Sequence, residues 1–158
     1  MAENGNRYKA AIAAAVAIAI PAEGLRQYAY KDPVGILTVC YGETVNIDPA
    51  KKYTLDECRA RLDDSMLKAI SYVDRCAPGL PVPVLAAFAD AAYNIGPKVA
   101  CDTKNSTAAR MLKAGDYVGA CNQLPRWNKG NVAGVMVELP GLAKRREKER
   151  QLCLTAQS

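Results

Sequence analysis

Residues 23–44 read Glu23-Gly24-Leu25-Arg26-Gln27-Tyr28-Ala29-Tyr30-Lys31-Asp32-Pro33-Val34-Gly35-Ile36-Leu37-Thr38-Val39-Cys40-Tyr41-Gly42-Glu43-Thr44, and they decide the class of fold. Short β-prone pieces, Tyr28 to Tyr30, Ile36 to Tyr41 and Thr44-Val45, are separated by Asp32-Pro33, Gly35 and Gly42. That is the pattern of a small antiparallel hairpin sheet. On both sides of it the periodicity is helical. Upstream, Arg7 and Lys9 precede an unbroken apolar run from Ala10 to Ile20, followed by Pro21-Ala22-Glu23. Downstream, Thr54-Leu55-Asp56-Glu57 has the form of a capping box. Leu55, Cys58, Leu62, Met66, Ile70 and Val73 then recur at three- and four-residue steps, which predicts an amphipathic helix ending near Cys76, ahead of Pro78-Gly79.

Further out, a second helix is expected from about Val82 to Asn94, ended by Gly96-Pro97. Ser106 to Ala114 reads as a short helix closed by Gly115, and Asp116 to Leu124 as another, with Trp127 just beyond. Asn128 to Leu139, interrupted by Gly130 and Gly134, reads as a loop. Pro140 suits a first helical turn, and a charged helix continues to about Cys153. The class is α+β, one short sheet followed by helices. The expected organisation is a tail over residues 1–9 and a single domain over 10–158. Within it lie an apolar helix at 10–22, a β lobe at 27–48 and a helical lobe at 54–154.

A chain of 158 residues is long enough for one sizeable core. It contains no histidine, which removes Ser-His-Asp and Cys-His nucleophilic catalysis, His-ligated zinc and histidine acid/base chemistry together. Six cysteines, Cys40, Cys58, Cys76, Cys101, Cys121 and Cys153, are spread along the chain without a C-x-x-C pair. They fit up to three disulfides made in an oxidising compartment; six buried thiols are the other reading. The net charge of +5 suits an anionic partner without selecting one.

The apolar run Ala10 to Ile20 spans only ~16 Å as a helix, about half of a bilayer's hydrocarbon core. Its alanines favour a first core helix. Its charge-then-apolar order also matches an export signal, although Ile20 stands where cleavage after Ala22 would want a small residue.

Paired carboxylates are the leading catalytic option in a chain without histidine. Glu23, on the border of an apolar helix, is expected to be partly desolvated, which favours the protonated form that a general acid needs. Asp32, on the turn side of the sheet, is expected to be better solvated and ionised. Thr38 follows on the next strand, where its hydroxyl can position a water. Two carboxyl groups in contrasting environments with a placed water suit glycoside hydrolysis.

At this point the spacing Glu23, Asp32, Thr38 resembles the catalytic triad of phage-type lysozymes, the endolysins of glycoside hydrolase family 24. The flanking letters agree: Tyr30-x-Asp32-x-x-Gly35-x-x-Thr38 and then Tyr41-Gly42-x-Thr44. So do Phe88 to Gly96, Asn105-Ser106-Thr107 with Leu112-x-x-Gly115-Asp116, Arg126-Trp127, and Gly141-Leu142-x-x-Arg145-Arg146-x-x-Glu149. The resemblance covers nearly the whole chain from Lys9 onward.

It implies a lysozyme-like fold, with a small β lobe, a mainly helical lobe and the cleft between them. It implies that Glu23 protonates the glycosidic oxygen, that Asp32 stabilises charge at the sugar and holds water, and that Thr38 positions that water. Inversion at the anomeric carbon follows, with carboxyl groups ~6.5–9.5 Å apart. Tyr30, Tyr41, Asn94, Arg126, Trp127 and Arg145 become the expected substrate contacts. The implied partner is the glycan strand of peptidoglycan rather than nucleic acid, acted on by a monomer with no metal or other cofactor, in the periplasm of a Gram-negative host. The cysteines also match cysteine-rich members of the group, with the sequential pairing Cys40–Cys58, Cys76–Cys101 and Cys121–Cys153 favoured. In a subset of these endolysins a weakly apolar, alanine-rich segment is exported uncleaved, tethers the enzyme to the inner membrane and later leaves it. Ala10 to Ile20 resembles a short example.

Two departures stand out. Asn128 to Leu139 is not the glycine-rich loop usual between Trp127 and Gly141-Leu142. Glu43 stands where many relatives have His or Asn, and is expected either to crowd Asp32 or to face solvent. Lys144 to Arg150 (KRREKER), five basic residues against two acidic, raises the different reading of a cationic membrane- or nucleic-acid-binding module. A solvated helix face laced with ion pairs is the preferred account of that run.

Overall fold

The computed structural model describes residues 2–157. Its centre is a helix that is apolar on every side, α3 (Val82–Ile95), in which each residue from Val84 to Ala92 is buried. Pro81 caps its start, and Gly96, at φ +94°, turns the chain away at its end. Such a helix must be wrapped by others. The long helix α1 (Ala2–Glu23) packs on it through Ala11, Ala15, Val16, Ile18 and Ala19, small side chains at three- and four-residue steps that let the backbones approach closely. α2 (Leu55–Cys76) covers it with the expected stripe of Cys58, Leu62, Met66, Ile70 and Val73. The Thr54–Glu57 capping box is formed in both directions.

α1 begins at Ala2, well before the apolar run, so residues 2–9 belong to the helix rather than to a separate tail. The cause lies outside its own sequence. Arg7 binds Asp74 at 3.0 Å and also the Leu80 carbonyl, and the Tyr8 hydroxyl donates to Asp74 at 2.6 Å. These bonds dock the polar first turns onto the end of α2.

The β lobe is a two-stranded antiparallel sheet, β1 (Arg26–Lys31) with β2 (Leu37–Cys40), pairing Tyr30 with Thr38 and Lys31 with Leu37. Thr44-Val45 is not a third strand; the Val45 carbonyl instead accepts from Arg61 on α2. Short helices follow: α4 (Lys98–Cys101), α5 (Thr107–Ala114) and α6 (Tyr117–Gln123), the last two capped by Ser106 and Asp116.

Residues 128–139 correct the loop expectation. They form a second hairpin, β3 (Lys129–Val132) with β4 (Val135–Glu138), closed by Ala133 and Gly134, both at positive φ as a two-residue type I′ turn requires. Alanine in that first position hides the turn from a reading of sequence, because Asn or Gly is the usual signal. Gly130, read as a break, is a strand residue lying against the end of the Leu139 side chain, which would have to shift to admit a Cβ.

α7 (Pro140–Leu154) closes the molecule against α3. The disulfides Cys40–Cys58, Cys76–Cys101 and Cys121–Cys153 join β2 to α2, α2 to α4, and α6 to α7.

Candidate active site

Glu23 is the last residue of α1, and Gly24 at φ +72° lets the chain turn straight into β1. The carboxylate is therefore fixed on the seam between the helical and β lobes. Its side chain keeps 23% of its exposure and accepts from Arg145 Nη1 at 2.5 Å. Two cavities meet at it. One, of about 350 Å³, is walled by Tyr41, Glu43, Thr44, Tyr93 and Asn94. The other, of about 490 Å³, is walled by Pro21, Leu139, Leu142, Lys144 and Lys148, with Asn94 and Arg145 at its back. Gly42, at φ +90°, passes so near that a Cβ there would stand 3.7 Å from Glu23 Oε2.

Asp32 sits in the β1–β2 turn, where Oδ1 accepts from the amides of Val34 and Ile36 at 3.0 and 2.9 Å. It is thus a turn-former and an acceptor-only carboxylate at once. Thr38 is buried, and its hydroxyl donates to the Ile36 carbonyl at 2.9 Å. With its proton committed there, Thr38 meets a water as an acceptor.

Glu43 does not turn to Asp32, nor simply to solvent. It accepts from Ser65 Oγ at 2.8 Å and from the Tyr93 hydroxyl at 3.4 Å, between α2 and α3. Burial raises its carboxyl above the ordinary range, against the opposing pull of those two hydrogen bonds. Tyr93, which also donates to the Tyr41 carbonyl at 3.1 Å, is kept neutral by burial and by the charges of Glu43 and Glu23.

The phage lysozyme family profile matches residues 21–149. The chain belongs to that family. A SAR-endolysin of bacteriophage PS119 is 40% identical over 134 residues, covering 84% of this chain and 76% of that protein. The active form of the P1 phage endolysin Lyz superposes with a TM-score of 0.78 at 30% identity, over 92% of this chain and 85% of that one. The secreted inactive form of the same endolysin reaches a TM-score of 0.52 at 29% identity, over 72% and 77%.

Of the residues expected to form this lysozyme site, Glu23, Tyr41, Asn94 and Arg145 line the joined cavities. Asp32, Thr38 and Tyr30 stand together on the neighbouring hairpin, with Arg26 stacked over the Tyr30 ring at 4.4 Å. Arg126 and Trp127 do not line either cavity. Arg126 is exposed and bonded to Gln123, and Trp127 is half-buried against the core with its carbonyl accepting from Arg146.

The run Lys144 to Arg150 is laced with ion pairs, Arg146–Glu149 and Arg150–Glu147, and exposes Lys144 and Lys148, but its other side is not solvated. Arg145, Arg146 and Glu149 are buried, because α7 lays that side on α3. Arg145 binds Asp90 with two nitrogens at 2.8 and 2.9 Å, and Arg146 binds Glu149 in the same manner at 2.6 and 2.8 Å. Arg145 is held charged: burial opposes the charge, and the hydrogen bonds it donates to Asp90 and then to Glu23 outweigh it. Asp90 and Glu149 were not among the expected site residues. The available signal was a single carboxylate within the apolar run Val82 to Ala92.

Proposed function

We propose that the protein is a muramidase that cleaves the β-1,4 bond between N-acetylmuramic acid and N-acetylglucosamine in peptidoglycan, lysing a bacterial host. The observation that carries this reading is Glu23, fixed by Arg145 where two cavities meet beside a hairpin bearing Asp32 and Thr38. As the general acid, Glu23 gives its proton to the glycosidic oxygen as the C1–O bond breaks. Water attacks C1 from the opposite face, its oxygen bonding to C1 as one proton passes to Asp32, while its second hydrogen stays on the new hydroxyl and is hydrogen-bonded to Thr38. The product sugar is then inverted. Tyr41 and Asn94 contact the glycan, and Lys144 and Lys148 face its anionic substituents.

The SAR-endolysin relatives support a periplasmic site of action reached through α1. Among the described residues no helix is long and apolar enough to cross a membrane. Ala10 to Ile20 acts instead as a weak signal-anchor that leaves the bilayer readily. In the folded protein the same segment is core, so membrane insertion would withdraw Glu23 from Arg145 and from the β lobe. The close superposition with the active P1 endolysin supports assigning the docked arrangement to the working state.

Turbidity of chloroform-permeabilised Gram-negative cells, followed with release of reducing sugar, tests the reading. Wild type is expected to clear cells and generate reducing ends, and Glu23→Gln to do neither. Equal clearing by both proteins would overturn it in favour of cationic membrane damage. Fractionation before and after membrane depolarisation tests the tether, and a protein always found in the cytoplasm would refute it.

A further inference from the structure

Arg145 does more than hold Glu23. Two of its three guanidinium nitrogens are taken by Asp90, a carboxylate with no exposure at all in the middle of α3, while the third reaches Glu23. One residue further along α7, Arg146 is occupied in the same way by Glu149, equally buried, and also donates to Asn94 Oδ1 at 2.8 Å in the cavity wall. Behind the two arginines, the charge of Asp90 acts on the Glu149 carboxyl and raises it.

The charges of this cluster balance with one proton. Glu23 from α1, Asp90 from α3 and Glu149 from α7 supply three carboxyl groups against the two guanidinium ions of Arg145 and Arg146, so one bound proton makes the network neutral. Burial, and after it the neighbouring Asp90, raises Glu149 well above the ordinary carboxylate range, so Glu149 carries that proton. Tyr93, the other titratable group on this side of α3, is neutral, and Glu43 is turned to Ser65.

We propose that Asp90 is a positioning residue for the glycoside cleavage: its carboxylate, gripping Arg145 through two nitrogens, sets how firmly Arg145 holds Glu23. The inference rests on reading Glu23 as the general acid. Such a group must release a proton and recover it in each cycle. A guanidinium facing Glu23 alone would stabilise the carboxylate and hinder that recovery; Asp90 neutralises part of its charge and fixes its plane. Ionising Glu149 as well would add a negative charge that draws Arg145 inward, away from Glu23.

The test is the pH profile of kcat/KM on purified peptidoglycan for Asp90→Asn. With Arg145 no longer balanced, the alkaline limb, which reports loss of the acid's proton, is expected to move about one unit lower. Above the limb the rate is then about tenfold lower, with KM little changed. Glu149→Gln, which keeps the shape and neutrality of the protonated acid, is expected to lose thermal stability and leave the limb in place. A profile that falls in height for Asp90→Asn without moving would show a structural role only and overturn the proposal.

Should Asp90→Asn not fold, carboxyl ¹³C NMR of the wild type decides. The Glu23 resonance is expected to show a second step at the pH where Glu149 loses its proton, and a Glu23 resonance blind to that event would overturn the coupling. This readout needs no turnover. A wild type that shows the step yet releases no reducing ends would refute the muramidase reading and leave the coupling standing.

Discussion

Reducing the three disulfides is expected to cost the protein most of its stability. The bridges close segments with sequence separations of 18, 25 and 32 residues, in series and without nesting. Cross-linking loops of those lengths removes denatured-state entropy worth about 3–4 kcal/mol each at 25 °C on the loop-closure relation. Because the loops do not overlap, their contributions add to roughly 10 kcal/mol, against a total of about 5–15 kcal/mol for a typical domain. All four cysteines of Cys40–Cys58 and Cys121–Cys153 are buried, so their thiols would also be left in tightly packed positions. For a chain of this size the melting temperature should fall by roughly 20–40 °C. Thermal unfolding followed by far-UV circular dichroism, on oxidised protein and on protein reduced and alkylated after unfolding, gives the comparison. A reduced protein melting cooperatively within about 5 °C of the oxidised one would refute the reasoning. The same dependence makes an oxidising compartment a condition of activity, since the Cys40–Cys58 bridge holds the segment leading into Tyr41 and Gly42 beside Glu23.

Three further outcomes follow from single positions. Gly42→Ala forces a side chain into a φ of +90° and places a methyl beside Glu23 Oε2, so it should cost about 1–3 kcal/mol and reduce kcat/KM by more than that loss explains; thermal melts paired with kinetics check it. Glu43 retains its proton in the folded state to a higher pH than in the unfolded state, so it makes stability decline as pH rises from the ordinary carboxylate range through its raised value. Glu43→Gln should therefore gain on the wild type across that window in urea midpoints measured at successive pH values, and parallel curves would count against the burial argument. Thr54→Ala removes one half of the capping box of α2 and should destabilise by about 1 kcal/mol in urea unfolding, with no effect on the site.

What was legible in the sequence was whatever depends on local pattern. The α2 stripe and its capping box are written in consecutive residues, and so is the Asp32-Pro33-Val34-Gly35 turn that separates β1 from β2. The hairpin at Lys129–Glu138 was missed because Ala133 adopts a backbone conformation that its identity does not advertise. The start of α1 was missed because the polar first turns gain their helix from Asp74 and Leu80, more than sixty residues away. Glu23 was proposed as the acid through its spacing to Asp32 and Thr38. The ions that hold it were not read in that role: Arg145 was expected as a substrate contact, charge content alone makes Arg146 and Glu149 look solvated, and only the apolar surface of α3, broken by Asp90, takes them inside. A charged helix facing an apolar helix with one buried carboxylate is the tertiary fact that a linear reading lacks.

The measurement that bears most directly on the whole account is digestion of purified peptidoglycan in H₂¹⁸O, with the released sugars analysed by mass spectrometry. Wild type should produce reducing N-acetylmuramic acid ends carrying one solvent oxygen at C1, and a folded Glu23→Gln protein should produce none. Anhydro ends, reducing N-acetylglucosamine ends, or equal products from the Glu23→Gln protein would contradict Glu23 as the acid that cleaves this bond.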